Sequence, residues 1–251
     1  MCKLPQITIA FWIMKICATT LGETAGDLFS MTLNIGYAMS SIILLGFFFG
    51  TLSIQLLSKK YLPIVYWLVI LATSTAGTTM SDFMDRTLGL GYETGSLILV
   101  SILGATLATW YATEKSLSVT NVKSFRAEIF YWTAILFSNT LGTALGDFLA
   151  DNSGLGFSGG AILIGSLLLL IVFLYYFTKI SRILLFWLAF VLTRPFGATF
   201  GDLLTKPFAK GGLNFGTIGS SAILSGILIV LVTIAVIKNN SSQKLQRQLQ
   251  G

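Results

Sequence analysis

Apolar residues run along this chain in blocks of roughly 20, the length at which a helix crosses a hydrocarbon layer. Eight such blocks can be drawn, at about 6–27, 38–57, 62–82, 94–112, 127–147, 159–178, 183–203 and 216–237, with short polar corners between them. The pattern predicts an all-α polytopic membrane protein with eight transmembrane helices in one membrane domain. Polar residues inside the blocks recur. The stretch GETAGD at 22–27 returns as GTTMSD at 77–82, GTALGD at 142–147 and GATFGD at 197–202.

This recurrence has a fixed register. Trp12, Trp67, Trp132 and Trp187 each lie ten residues before the first Gly of the motif and fifteen before an Asp: Asp27, Asp82, Asp147 and Asp202. The Asp intervals are 55, 65 and 55, so the chain divides into halves offset by 120. Residues 1–120 hold repeats one and two; residues 121–251 hold repeats three and four and a short tail, 239–251, expected to be solvated. Each Asp is followed by a corner read as Gly36-Tyr37, Gly91-Tyr92, Gly156-Phe157 and Asn214-Phe215, with about three extra residues in the fourth repeat. Each unit has two spans, an even number, so all four units point the same way. They are parallel repeats about an axis along the membrane normal, with pseudo-twofold or pseudo-fourfold order and the Asp residues at one depth.

Four tandem two-span repeats, each with a Trp and a G-x-x-x-[GS]-D element, resemble a bacterial family of integral membrane proteins known as a "repeat of unknown function", or membrane-anchored proteins. The likeness covers nearly the whole chain. It implies eight spans and a location in the bacterial inner membrane, and it implies no activity.

Charge changes the picture in two ways. Only 10% of the 251 residues are charged, against about 25% in soluble domains. Eleven of the 16 basic residues fall on one side of an eight-span layout, among them Lys3, Lys59, Lys60, Lys115, Lys123, Arg126, Lys179 and Arg182. The positive-inside rule then puts both termini in the cytoplasm. The net charge of +6 fits a surface facing anionic lipid and not a nucleic-acid partner. Cys2 and Cys17 have no metal-type spacing and form no disulfide framework. The basic start before the first apolar run is not read as a signal peptide, because that run carries the first motif.

The candidate chemistry lies on one helical stripe. At about 100° per residue, the positions 7, 11, 14 and 18 after each Trp fall within about 40° of it, and the Asp at about 60°. The stripe holds Thr19, Ser74, Asn139 and Arg194, then Glu23 and its counterparts, then the Asp residues, with Asp85 continuing it in repeat two. It is expected to face the bundle interior. The pairs Gly22 and Gly26, Gly77 and Ser81, Gly142 and Gly146, and Gly197 and Gly201 are read as helix-packing positions. Lys15 is expected to snorkel toward the inner face; Arg194 lies too deep for that and is read as a pairing or binding residue.

Two readings of Asp27, Asp82, Asp147 and Asp202 stay open. Each Asp can cap a turn at the outer interface. Alternatively, with Glu23, Asp85, Asn139 and Arg194, they form an ion or substrate site in which the four Asp residues bind metal. Carboxylate, hydroxyl and amide oxygens suit hard cations of the Mn, Mg or Ca type. The chain has no His, so proton coupling would run through carboxylates. The sequence shows no HExxH and no paired-metal signature, so an enzyme is not expected. No cofactor is expected beyond a divalent cation as substrate. The function expected is a transporter for a hard cation. A non-transporting scaffold, or a permease for a small anionic or organic solute held by Arg194, is the alternative. The expected partners are the bilayer and a small ion or solute, and a homo-oligomer is compatible with the sequence.

Overall fold

A computed structural model describes residues 3–119, 122 and 124–248. Cys2, Lys123 and the last three residues of the tail lie outside them. The helices are α1 (Ile9–Asp27), α2 (Tyr37–Leu57), α3 (Pro63–Asp82), α4 (Gly91–Glu114), α5 (Phe125–Asp147), α6 (Gly156–Phe177), α7 (Arg182–Thr205) and α8 (Gly216–Gln248). The helix α8 therefore carries the first part of the expected tail.

Local chemistry sets the starts of the odd-numbered helices. The hydroxyls of Thr8, Ser124 and Ser181 accept from the backbone N–H groups of Phe11, Ala127 and Leu184, satisfying donors that lack a partner within the helix. In α3 the first position is Pro63, whose missing N–H is not needed there.

The odd helices form a closed ring in which α1 packs on α3, α3 on α5, α5 on α7 and α7 on α1. The even helices lie outside it: α2 packs on α3, α4 on α5, α6 on α7 and α8 on α1. Each outer helix thus leans on the inner helix of the following repeat, and the last returns to the first. The motif's small residues allow the ring to close. A Cβ at Gly22 would lie 2.3 Å from the Cβ of Ser74, and one at Gly142 would lie 2.4 Å from the Cγ of Arg194. Gly77 meets Asn139 and Gly197 meets Thr19 in the same way. One turn on, Gly26 faces Thr78, Gly146 faces Ala198 and Gly201 faces Glu23. Small residues of one repeat therefore receive the stripe of the next.

Six helices, α2, α3, α4, α6, α7 and α8, are long and apolar enough to cross a membrane. The other two, α1 and α5, carry Lys15, Glu23 and Asp27, and Arg126, Glu128 and Asp147. They stand diagonally opposite in the ring, each between α3 and α7. Enclosed by other helices, they need no apolar circumference.

Three odd helices end alike. After Asp27, Asp82 and Asp147 comes a five-residue π turn, at Leu28–Thr32, Phe83–Thr87 and Phe148–Asn152. The fourth repeat instead has a 3-10 turn, Phe208–Lys210. The corner of that repeat differs from expectation. Gly36, Gly91, Gly156 and Gly216 all have φ between +65° and +82° as the next helix begins. This left-handed backbone favours glycine, so Gly216, not Asn214, is the counterpart of Gly36. The distance from Asp to corner is 14 residues in repeat four (202 to 216) against nine in repeat one (27 to 36), five extra and not three.

Candidate functional site

Polar side chains fill the ring in layers. At one end Tyr66 and Tyr131 share a hydrogen bond of 2.7 Å, among the buried rings of Trp67 and Trp132. These tryptophans are packed, and Trp187 is fixed by donating to the Leu117 carbonyl at 3.0 Å. Trp12 stays half-buried.

The next layer holds Lys15 and Asn139, both fully buried. Lys15 Nζ donates to Asn139 Oδ1 at 3.3 Å, across the ring from α1 to α5. It also stands 4.0 Å from the centroid of the Phe190 ring. Asn139 Nδ2 donates to Thr73 Oγ1 at 2.9 Å and to Ser74 Oγ at 3.4 Å. Lys15 does not snorkel, contrary to the expectation. Its ammonium points into the ring, because the helices around α1 leave it no open face.

Arg194 comes next, also with no exposed surface. Its Nη2 donates to Glu23 Oε2 at 2.9 Å, to Thr143 Oγ1 at 2.7 Å, to Thr78 Oγ1 and to the Ser74 carbonyl at 3.4 Å. Glu23 also accepts from Thr78 Oγ1 at 3.3 Å. These are the residues at positions 7 and 11 after each Trp, drawn from all four inner helices.

The acids form the last layer. Asp27, Asp82, Asp147 and Asp202 are all buried, and they are bound in two pairs. Arg86 holds Asp82 through Nε at 2.9 Å and Asp147 through Nη2 at 3.0 Å. Lys206 holds Asp27 at 2.7 Å and Asp202 at 3.0 Å. Burial works against the charge on Lys206, but Asp202 and Asp27 outweigh it and hold its pKa above the ordinary lysine value. One oxygen each of Glu23, Asp147 and Asp202 lie within 4.8 Å of one another. Among the described residues this is the group able to hold a metal ion; Asp27 and Asp82 lie beside it, on the two bridging cations.

The capping reading of the Asp residues does not hold. Asp27, Asp82 and Asp147 precede the π turns and make no side-chain cap bond to them. A neighbouring cation takes each carboxylate instead. Asp85 stands apart from the expected stripe. Its Oδ2 accepts from Ser81 Oγ at 3.2 Å and its carboxyl occupies the space beside Gly95 of α4, because the π turn rotates it off the ring axis. Arg86 and Lys206 were missed as members of the site. Their signal was present: each lies four residues after its Asp, an i,i+4 ion-pair spacing, in the even repeats alone. A further, part-buried pair, Lys3 with Glu128 at 2.7 Å, ties the segment before α1 to α5 beside Gln55.

The family described as Repeat of Unknown Function (DUF347) matches the chain four times, over residues 10–61, 65–116, 130–181 and 185–240. No curated protein and no solved structure matches.

Proposed function

This chain belongs to the family described as Repeat of Unknown Function (DUF347), and we propose that it carries a hard divalent cation across a membrane in exchange for protons. In this reading all eight helices cross a bacterial inner membrane with both termini in the cytoplasm, as the distribution of basic residues favours. The inner ring is then a parallel fourfold repeat about the membrane normal. The protein is a carrier and not an enzyme.

One observation carries the proposal: the buried triad of Glu23, Asp147 and Asp202, with oxygens within 4.8 Å. Its charge is not balanced by its neighbours. Five buried carboxylates, those of Glu23, Asp27, Asp82, Asp147 and Asp202, contact three cations, Arg86, Arg194 and Lys206. Among the groups in contact two negative charges are left over, with Lys15 a further buried cation one layer away, and in a low-dielectric interior like charges at such separations cannot all be ionised unaided. One divalent cation, or two protons, removes the excess. Carboxylate oxygens with the nearby hydroxyls of Thr78 and Thr143 suit Mn²⁺, Mg²⁺ or Ca²⁺.

The test is metal flux into proteoliposomes holding the purified chain, with a pH-sensitive dye in the lumen. Wild-type protein is expected to move Mn²⁺ with counter-movement of protons, and Asp147→Asn and Asp202→Asn are expected to abolish both. No flux with any of the three metals, or full flux in both variants, would overturn the proposal. The scaffold reading draws on the same bridges of Arg86 and Lys206. It predicts that these variants lower thermal stability and leave cellular metal content unchanged.

A further inference from the structure

Next to the acids, the ring encloses two cations that cation transport does not use in full. Lys15 and Arg194 both have no exposed surface. They lie on neighbouring ring helices, α1 and α7. Lys15 has three N–H donors and meets one acceptor, Asn139 Oδ1, besides the face of Phe190. Arg194 spends Nη2 on Glu23, Thr78, Thr143 and Ser74, while its Nε and Nη1 have no hydrogen-bond partner among the described residues. A guanidinium carries five N–H donors, so more than half of them are left over. The two cations are joined through one chain of contacts: Lys15 to Asn139, Asn139 to Ser74, and Ser74 through its carbonyl to Arg194. Arg194 is led inward on purpose-built ground, since its stem crosses Gly142 where any Cβ would collide with it.

Buried donors without acceptors are costly, and a buried charge without a nearby opposite charge more so. Glu23 answers Arg194 through one nitrogen only, and among the described residues no carboxylate forms an ion pair with Lys15. The missing element is an acceptor with negative charge. We infer that Lys15 and one of the unpartnered nitrogens of Arg194 bind a small inorganic monoanion of the chloride or nitrate type inside the ring. A polyanion is disfavoured, because the Glu23 carboxylate already holds Nη2 of the same guanidinium. The Phe190 face beside Lys15 is an attractive wall for the ammonium and an apolar one for a weakly hydrated anion. This site adjoins the acid triad through the Arg194–Glu23 pair but does not depend on cation transport.

The experiment uses the full chain purified in detergent, with potassium chloride replaced by potassium gluconate at constant ionic strength. Chloride is expected to raise the melting temperature of the wild-type protein saturably and to give a binding isotherm by calorimetry. Lys15→Met, similar in length and flexible enough to keep the packing, is expected to weaken chloride binding by at least roughly tenfold, the loss of a charge-assisted contact. Asp147→Asn is expected to retain it. An unchanged melting temperature and a flat isotherm for wild type would overturn the inference, as would wild-type affinity in Lys15→Met. Chloride binding in a protein that moves no metal would leave this site standing and remove the transport proposal, so the two can fail separately.

Discussion

Each repeat supplies one inner and one outer helix, and the two kinds are built on opposite terms. The inner helices carry Lys15, Glu23, Asn139, Arg194 and the four motif Asp residues, yet they are the more buried. The outer helices are rich in Ile, Leu and Phe and hold them outward, as at Ile42, Phe49, Leu97, Leu169 and Ile229. In water this arrangement would be inverted, because apolar surface drives burial there. Here apolar surface faces out and charge is enclosed, an arrangement compatible with lipid surroundings. The inner helices are held by close approach and ion pairs, the outer ones by their fit to the ring and to the hydrocarbon proposed around them.

Four substitutions would break or sharpen this contrast. Arg194→Ala, in the inner ring, strands Glu23 without its partner and is expected to destabilise the fold by about 3–5 kcal/mol. Thermal melting in detergent measures this, and recovery in the double variant Glu23→Gln, Arg194→Gln would assign the loss to the stranded charge. Leu169→Lys, on an outer helix where Leu169 is 71% exposed, is expected to lower membrane insertion by about 2.5–3.5 kcal/mol. Normal insertion would mean that this face meets water, and the contrast would be lost. Gly142→Ala is expected to cost about 1–3 kcal/mol through the clash with Arg194. Gly104→Ala, inside an outer helix with open space around it, is expected to stabilise by about 0.4–1 kcal/mol. Equal effects in the two would show that the ring is not the tightly packed layer.

Much of this was legible in the sequence. The Trp-to-Asp register marked four equal units, and the stripe through Ser74, Asn139 and Arg194 pointed inward as the wheel required. The small residues at Gly22, Gly142 and Gly197 were readable as packing positions because nothing larger fits where two helix backbones approach. What was not legible depended on partners distant in the chain. Lys15 resembled a snorkelling residue because its acceptor, Asn139, lies 124 positions away. The bridging of Asp147 by Arg86 joins separate repeats, and only the shorter half of that bridge, Arg86 to Asp82, had a local spacing to announce it. The pairing of outer with inner helices left no mark, since helices apolar on every side do not declare which neighbour they touch. The fourth corner was misaligned because Asn214-Phe215 resembles the Gly-aromatic pairs of the other corners; with φ of 58°, Asn214 is the counterpart of Asn34, two residues before the glycine that fills Gly36's place.

The hand-over of each outer helix to the following repeat bears on how the chain is made. Synthesis proceeds from the first residue, so α3, α5 and α7 each meet their covering helix as they emerge. The helix α1 does not: the segment that covers it, fastened by Ser221 to Thr24 at 2.9 Å and by Cys17 to the Leu224 carbonyl, is among the last translated. A ribosome that stops before residue 216 therefore releases a chain whose first helix still has a bare flank, recognisable to proteases as unfinished.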